Sequence, residues 1–179
     1  IAAAFGGFNL ISFRGKDFKV DPLIIPEANK KKLEESILFC FTGISRNSDK
    51  IAKTQIENIK INHNLMYEMN NLTLEALKIL NSNSFNIKEF GKLLNLQFNL
   101  KNSLNPLASN NLIKKVYKKA LELGCYGGKI SGAGSGGFLV LIAPKNKHII
   151  IKQKLKNLLF VPLRFDNSGS KIIYYSHNE

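Results

Sequence analysis

Tryptophan is absent from this 179-residue sequence, and cysteine and methionine occur only twice each. The two cysteines, Cys40 and Cys125, are far apart and form no C-x-x-C pair. This excludes a disulfide framework and predicts reduced thiols in the cytoplasm. The three histidines, His63, His148 and His177, are scattered, and their spacing matches no metal-binding motif. The composition therefore predicts no metal site.

Long apolar runs are also missing, because no stretch approaches the ~18 residues that a membrane-spanning helix needs. Residues 1–5 are small and apolar, but they lack the basic segment that opens a signal peptide. We therefore expect a cytoplasmic protein without membrane contact. The same small-residue stretch is typical of the end of a helix, which would close at Gly6 and Gly7.

Acidic residues are scarce, with 13 against 26 basic residues, which gives a net charge of +13. Such an excess is typical of proteins that bind nucleic acids or other anions. Only Arg14, Arg46 and Arg164 are arginines, and the lysines are spread along the chain rather than interleaved with aromatic residues. No recognition module for DNA or RNA is present. These features argue against a nucleic-acid partner and are compatible with small anionic substrates.

Six of the 13 glycines fall within residues 127–138, whose sequence is GGKISGAGSGGF. Glycine permits positive φ angles and lets another backbone or a ligand approach closely. Successive free N–H groups in such a loop can also form a concavity that binds anions. Because apolar runs flank this glycine segment and predict strands, it is the first candidate for a functional site.

The glycine segment contains the pattern G-x-G-x-x-G at residues 132–137. A dinucleotide-binding loop requires a helix directly after this pattern, whereas residues 138–142 predict a strand. A Walker A loop is excluded as well, because no Gly-Lys-Ser/Thr ends the segment. Two interpretations remain open: a glycine-rich hairpin used only for close packing, or a wall that approaches phosphates or supports another phosphate-binding loop.

The first part of the chain predicts a hairpin and then a domain boundary. Residues 8–13 and 18–20 partly alternate on either side of a turn at residues 14–17. The polar residues 27–36 predict a short surface helix or a connection. We place the boundary here, between residues 1–35 and residues 36–179.

The second part predicts a mixed order of strands and helices. Strands are predicted at residues 37–44, 125–131, 138–143, 159–165 and 171–175. Helices are predicted from an N-cap at Ser48 to Leu80, from Asn86 to before Pro106, from Ser109 to Gly124, and after a cap at Asn146. The order β, helices, β, β, α, β is the split βαβ plan of ferredoxin-like folds, with extra helices in the first crossover. The predicted class is α+β.

The glycine segment resembles the third sequence motif of the GHMP kinases, the superfamily of galacto-, homoserine-, mevalonate- and phosphomevalonate kinases, with its G-A-G-x-G-G core. Three other stretches are similar to the D-glycero-D-manno-heptose 7-phosphate kinases of this superfamily: AAAFGGFN at residues 2–9, FTGISRNS at 41–48 and FGKLL at 90–94. The resemblance covers nearly the whole chain. It departs at Ser135, where these kinases have glycine; a serine here either adds a hydroxyl donor or tolerates the turn.

The resemblance implies an ATP- and Mg²⁺-dependent kinase that converts D-glycero-D-manno-heptose 7-phosphate to the 1,7-bisphosphate at the anomeric hydroxyl. The family's catalytic aspartate would fall immediately upstream of Ile1, and its ATP-phosphate loop would lie further upstream. We therefore expect residues 1–35 to be a remnant of the N-terminal domain and residues 36–179 to be the C-terminal domain. We expect the chain alone to be inactive.

The resemblance also implies two sets of site residues. The first lines the cleft beside the ATP phosphates: Lys129, Ser131, Gly132, Ala133, Gly134, Ser135, Gly136 and Gly137. For this loop, bracing the phosphate-binding loop is expected ahead of direct phosphate contact, and Lys129 either faces the phosphates or is solvated. The second set borders the sugar phosphate: Gly6, Gly7, Asn9, Thr42, Arg46 and Ser48.

Arg46 is the cation of most interest in the second set. It precedes a predicted helix N-terminus, where free N–H groups and the helix dipole favour anions. Its guanidinium group recognises phosphate through a planar fork. The alternatives are a surface arginine beside a helix cap and, for Gly6 and Gly7, a simple helix end.

Two other functions stay open. One is a galactokinase- or fucokinase-like sugar kinase, and the other is a non-catalytic ferredoxin-like module for ligand binding or dimerisation. We expect residues 1–35 to seek apolar partners, which makes a homodimer an expected assembly.

Overall fold

The computed structural model describes residues 1–44, 48–59, 61–132 and 134–175, with the backbone alone for residues 48–52. Its internal contacts divide the chain into two units. The smaller unit contains Ile1–Ile25 and the described residues from Arg164 onward, and the larger unit contains Pro26–Leu163. Within the described ranges, none of the helices combines the length and the apolar character needed to cross a membrane.

The smaller unit contains a short helix and the predicted hairpin. Helix α1 (Ala2–Phe5) ends at Gly6, where φ is 67°, so the predicted helix end is confirmed. Strands β1 (Asn9–Arg14) and β2 (Asp17–Pro22) pair in antiparallel register, which confirms the hairpin.

The C-terminal segment of the smaller unit lies along its first residues. The Gly7 N–H donates to the Asp166 carbonyl oxygen at 2.9 Å, and the Ser170 N–H donates to the Ala4 carbonyl oxygen at 2.8 Å. Within this segment, the Asp166 carboxylate accepts from the backbone N–H of Ser168 at 2.9 Å.

The prediction of a strand at residues 171–175 is wrong, because these residues form neither a strand nor a helix. A sequence in which apolar and polar residues alternate forms a strand only where a neighbouring strand can form backbone hydrogen bonds with it. In the described chain no strand pairs with residues 171–175, and the Ile173 side chain is 96% exposed.

The larger unit contains four strands and six helices in its described part, in the order predicted for the second part of the chain. Its helices are α2 (Glu27–Ser36), α3 (Ser48–Ile59), α4 (His63–Asn81), α5 (Ile87–Leu104), α6 (Asn111–Glu122) and α7 (His148–Lys154). Its strands are β3 (Ile37–Phe41), β4 (Gly127–Ile130), β5 (Phe138–Ile142) and β6 (Leu159–Val161), and 3-10 turns lie at Pro106–Ala108 and Lys145–Lys147.

The four strands form one antiparallel sheet in the order β4-β5-β3-β6. Because β3 and β4 both run antiparallel to β5, which lies between them, the two are parallel to each other. This is the split βαβ arrangement, and the extra helices α3, α4 and α5 lie in its first crossover, as predicted. One face of the sheet carries the buried side chains of Leu38, Cys40, Ile130, Leu139 and Leu141. They form the core with residues of α5, α6 and α7: Phe98, Ile113, Tyr117, Ala120 and Ile151.

Several helix boundaries differ from the predictions. The long helix predicted to end at Leu80 is two helices, α3 and α4, with a break before His63. At the break the Asn62 side-chain amide donates to the Asn58 carbonyl oxygen at 3.0 Å, and φ and ψ of Asn62 are −117° and 55°. An asparagine side chain that bonds nearby backbone competes with the helical ladder in this way.

Two predicted N-caps are displaced and two other helix ends are confirmed. The third predicted helix is capped by Asn110 rather than by Ser109, and the Lys145–Lys147 turn moves the cap of α7 from Asn146 to Lys147. The cap at Asn86 is confirmed, since its side chain accepts from two backbone N–H groups. Gly124, with φ of 102°, follows the last turn of α6 as predicted.

The contact boundary between the units lies at Pro26 rather than between residues 35 and 36. Helix α2 therefore belongs to the larger unit. The Asn29 amide donates to the carbonyl oxygens of Leu80 and Ser82 at 2.8 and 2.9 Å, and the Lys32 ammonium donates to the Phe85 carbonyl oxygen at 2.8 Å. The assignment of the two parts to domains of a longer kinase stays a prediction.

Candidate functional site

The glycine segment forms a loop between β4 and β5, as predicted, and Ala133 alone within it lies outside the described residues. Four loop residues have left-handed backbone: Gly132, Gly134 and Gly137, with φ of 75°, 111° and 76°, and Ser135, with φ of 60°. Ser135 is the single non-glycine residue with positive φ in the described ranges. The structure thus supports the view that serine tolerates this turn, although left-handed backbone disfavours most side chains.

Backbone atoms of two other segments, at Ala108 and at Ile44, lie close to the glycine loop. A Cβ atom at Gly134 would overlap the carbonyl oxygen of Ala108, and one at Gly136 would lie 2.7 Å from the carbonyl oxygen of Ile44. Real side chains do not tolerate such distances from backbone atoms, so glycine is required at both positions for steric reasons.

The first support of the loop is the turn between α5 and α6. The Ser135 N–H donates to the Ala108 carbonyl oxygen at 2.6 Å, and the Asn110 side-chain amide donates to the Ser135 carbonyl oxygen at 3.1 Å. At the beginning of the loop, the Lys101 ammonium donates to the Gly132 carbonyl oxygen at 2.9 Å. The end of α5 therefore holds the beginning of the loop, and the α5–α6 turn holds its middle.

The second support is the segment after β3. The backbone N–H and the hydroxyl of Thr42 both donate to the Gly137 carbonyl oxygen, at 2.9 and 2.8 Å. The Gly137 N–H donates in return to the Ile44 carbonyl oxygen at 3.0 Å. Thr42 is buried, and its hydroxyl proton is committed to the loop.

The sequence did not reveal the α5–α6 turn as part of the site. It is built by asparagines: the fully buried Asn105 accepts from the Leu107 N–H at 3.0 Å, and the Asn58 amide donates to the Leu104 carbonyl oxygen at 2.8 Å. The Ser109 hydroxyl also donates to the Asn102 side chain. The density of asparagine and serine around Pro106 is the pattern that would have indicated an ordered polar turn.

Lys129 lies on β4, and its side chain points to the sheet face opposite to that of Ile130. It lies against α4 and α5, beside Thr73 and Gln97, and burial lowers the pKa of its ammonium group. Lys129 is therefore half-buried, since desolvation disfavours the charged form in this way, and its role beside the phosphates stays a prediction.

The other sugar-site candidates are placed only in part. Arg46 lies outside the described residues, and Ser48 is the first residue of α3 with a backbone description only. In the smaller unit, the Asn9 amide donates to the Gly6 carbonyl oxygen at 2.7 Å. A Cβ atom at Gly6 would overlap the backbone of Ser168. These contacts give Gly6 a packing role, and a role of Gly6, Gly7 and Asn9 beside a sugar stays a prediction.

The loop offers only part of its backbone to a phosphate group. The N–H groups of Ser131, Ser135 and Gly137 donate to protein carbonyl oxygens. The N–H groups of Gly132 and Gly134 have no acceptor among the described residues, and these two fit a phosphate oxygen chemically. In the described ranges, no group of three His, Cys, Asp or Glu side chains is placed to hold a metal ion.

Residues 73–159 match the family described as GHMP kinases, C terminal. The match includes β4, the glycine loop, β5 and the turn that supports the loop. Residues 73–159 are therefore a GHMP kinase C-terminal domain, and the resemblance noted for the glycine segment is confirmed.

One curated relative is similar over almost the whole chain. The D-glycero-alpha-D-manno-heptose 7-phosphate kinase of Campylobacter jejuni subsp. jejuni is 31% identical over 182 residues, which cover 95% of this chain and 51% of that protein. The chain thus spans about half the length of this curated relative.

Solved structures of the family share the fold. The mevalonate kinase of L. major in complex with R-mevalonate superposes with a TM-score of 0.66 at 18% identity, over 85% of this chain and 45% of that protein. A D-glycero-D-manno-heptose 1-phosphate kinase from Bacteriodes thetaiotaomicron gives a TM-score of 0.55 at 23% identity, over 97% and 47%. At these identities the similarity concerns the fold alone, and the predicted α+β class is confirmed.

Proposed function

We propose that this chain is the C-terminal part of an ATP-dependent sugar kinase that phosphorylates the anomeric hydroxyl of D-glycero-D-manno-heptose 7-phosphate to the 1,7-bisphosphate. The observation that carries the proposal is the 31% identity to a heptose 7-phosphate kinase over 95% of the chain. The glycine loop supports the proposal, because hydrogen bonds from two neighbouring segments hold it and the N–H groups of Gly132 and Gly134 have no acceptor among the described residues.

Phosphoryl transfer depends mainly on positioning and on stabilising the charge of the transferred group. In the proposed enzyme, ATP and Mg²⁺ supply the phosphoryl group and the neutralising cation. The loop at Gly132 to Gly137 lines the phosphate cleft, and the N–H groups of Gly132 and Gly134 are its donors. The N–H groups of Ser135 and Gly137 hold the loop against Ala108 and Ile44. Its main proposed role is therefore to keep one wall of the cleft in place.

Arg46 is the residue that we propose to bind the sugar phosphate, together with Ser48. Thr42 has no donor left for a phosphate, because its N–H and its hydroxyl both donate to the Gly137 carbonyl oxygen. The support is chemical, because a guanidinium group before the N-terminus of α3 is suited to a phosphate. In the full-length protein, Arg46→Ala should raise the KM for the sugar phosphate at least tenfold, since a charge-assisted hydrogen bond contributes about 1.5–3 kcal/mol. An unchanged KM would remove Arg46 from the site.

The proposed function is tested by a kinase assay with three sugars. The full-length protein, with any residues that precede Ile1, is given ATP, Mg²⁺ and heptose 7-phosphate, galactose or fucose. We expect phosphate transfer to heptose 7-phosphate alone. Transfer to galactose or fucose would replace the proposal with the galactokinase- or fucokinase-like alternative, and ligand binding without transfer would favour the non-catalytic module.

A second assay addresses the chain on its own. We propose that the 179-residue chain lacks phosphotransferase activity, because the resemblance places the catalytic aspartate and the ATP-phosphate loop upstream of Ile1. The full-length protein serves as the control. Turnover by the 179-residue chain would contradict this part of the proposal. Light scattering of the same sample tests the proposed homodimer, which a monomer mass would exclude.

A further inference from the structure

Thr42 and Gly137 are joined by two hydrogen bonds where the glycine loop enters β5. The backbone N–H and the hydroxyl of Thr42 both donate to the Gly137 carbonyl oxygen, at 2.9 and 2.8 Å. A carbonyl oxygen has two lone pairs, so these two donors use its full capacity. The Gly137 N–H donates to the Ile44 carbonyl oxygen at 3.0 Å. Bonds to the segment after β3 therefore fix the peptide group on each side of the Gly137 Cα atom.

The end of the loop has little intrinsic preference for this conformation. Gly136 and Gly137 are consecutive glycines, and glycine has the widest choice of backbone conformations. A side chain cannot restrict this choice at Gly136, because its Cβ atom would lie 2.7 Å from the Ile44 carbonyl oxygen. The order of the loop end must therefore come from hydrogen bonds to neighbouring segments.

The Thr42 side chain is suited to hold the loop and not to bind a substrate. Only 9% of Thr42 is exposed, so water does not readily replace its hydroxyl bond. The hydroxyl has a single proton, and this proton is donated to Gly137. A phosphate group, which accepts hydrogen bonds, therefore finds no free donor on this residue.

We propose that Thr42 is a positioning residue for the ATP side of the reaction, an assignment that rests on the proposed function. Its hydroxyl keeps the end of the glycine loop in one conformation before ATP binds. Donors that are already in place need no reordering during phosphoryl transfer, whereas ordering a mobile loop lowers both affinity and rate. This assignment replaces the predicted place of Thr42 beside the sugar phosphate.

Steady-state kinetics of the full-length protein test the assignment. Thr42→Val removes the hydroxyl and keeps the branched shape. It should raise the KM for ATP and lower kcat, so that kcat/KM for ATP falls about threefold to tenfold, as the loss of one hydrogen bond implies. The KM for heptose 7-phosphate should stay unchanged. Thr42→Ser retains the hydroxyl and should restore most of kcat/KM.

Ser36→Ala is the matched control at the opposite end of β3. The Ser36 hydroxyl donates to the Lys32 carbonyl oxygen at 2.7 Å, and the residue is buried like Thr42. The control therefore removes a comparable hydroxyl bond that does not reach the loop, and both KM values should stay unchanged. Circular dichroism melting shows whether each variant is folded, and if Thr42→Val is not, Thr42→Ala takes its place.

The kinetic outcomes distinguish positioning from the alternatives. A loss of folded protein alone would lower kcat and leave both KM values unchanged, and this result would overturn the assignment. A raised KM for heptose 7-phosphate with an unchanged KM for ATP would also overturn it, because Thr42 would then belong to the sugar site.

Two further measurements do not require phosphoryl transfer. The Gly137 amide should exchange its hydrogen about threefold to tenfold faster in Thr42→Val than in the unaltered protein, and unchanged exchange would contradict the assignment. Calorimetric titration with ATP and Mg²⁺ should show weaker binding by Thr42→Val. Binding of ATP without phosphoryl transfer would contradict the proposed function alone. Equal ATP affinity of the two proteins, or no ATP binding by either, would overturn the assignment of Thr42.

Discussion

At the scale of single residues, the glycine loop shows two different reasons for glycine. Gly124 and Gly134 have similar left-handed φ angles of 102° and 111°. At Gly124 a Cβ atom would meet only the flexible side chain of Lys147 at 3.6 Å, whereas at Gly134 it would overlap the backbone oxygen of Ala108. The pair therefore separates the energetic cost of backbone conformation from the cost of steric overlap.

Gly124→Ala and Gly134→Ala make this comparison measurable. We expect Gly124→Ala to lower the free energy of unfolding by about 1–2 kcal/mol, the cost of left-handed backbone for an L-residue. Gly134→Ala should lower it by about 1–3 kcal/mol more, because the loop must move away from Ala108. Urea unfolding of both variants measures the difference. Equal losses would show that the contact with Ala108 is not required.

At the scale of secondary-structure elements, the sequence predicted the strands around the loop and most helices, because long apolar periodicity and the caps act locally. The sequence-based predictions failed where a side-chain hydrogen bond ends a helix, or where a strand needs a neighbouring strand to form. Asn62 interrupts a helix that periodicity alone continues, and residues 171–175 alternate without a strand to pair with. The sequence also did not indicate that α2 belongs to the larger contact unit, because the bonds from Asn29 and Lys32 reach residues more than 50 positions away.

The same limit applies to the candidate site. The glycine loop itself was predictable from its glycines and the flanking strands. Its supports were not, because the bonds from Thr42 and Lys101 to the loop span 95 and 31 positions of sequence. The environment of Lys129 depends on α4 and α5, so its burial was not predictable from its position beside the loop.

Asn110 tests how the α5–α6 turn controls the loop. Its side-chain oxygen accepts from the Ile113 N–H at 2.9 Å and caps α6, while its amide donates to the Ser135 carbonyl oxygen. Asn110→Asp keeps the capping oxygen and loses the donor. We expect the Ser135 amide to exchange its hydrogen about fivefold faster, as loss of a bond of about 1 kcal/mol implies, and the Ile113 amide to be unaffected.

Asn110→Ala is the companion variant, because it loses both the cap and the donor. Here the Ser135 and Ile113 amides should both exchange faster, and α6 should lose about 1 kcal/mol of stability. Unchanged exchange of the Ser135 amide in Asn110→Asp would show that the turn does not hold the loop through this residue.

At the scale of the whole molecule, the excess positive charge comes from lysines that are mostly at the surface. The core instead contains thiols that burial keeps protonated. The net charge is +13, and the four ion pairs found in the described ranges have exposed side chains. Such pairs contribute little to stability, so the fold depends on the buried sheet face and the helices on it. Two thiols lie in that core, Cys40 with 0% and Cys125 with 6% of its surface exposed.

The core thiols predict how stability changes in alkaline solution. Burial raises the pKa of Cys40 and of Cys125 from 9.0 to about 12, so the native state keeps two protons that the unfolded chain releases. Their contribution to stability is complete below pH 9 and is lost as the pH rises from 9 towards 12, by about 1.4 kcal/mol per pH unit for each thiol. Lys129 acts in the opposite direction, because its lowered pKa lets the native state lose its proton first.

Two thiols lower the stability as the pH rises and one amine raises it, so the thiols determine the net change. Tyr117 adds to the loss of stability above pH 10, because burial raises the pKa of its hydroxyl as well. Urea unfolding at a series of pH values should therefore show falling stability above pH 9. In a Cys40→Ala/Cys125→Ala variant the stability is lower at neutral pH, because small cavities remain, but its decline with pH should be shallower. Parallel pH profiles for the two proteins would show that the thiols ionise equally in both states and are not sealed in the core.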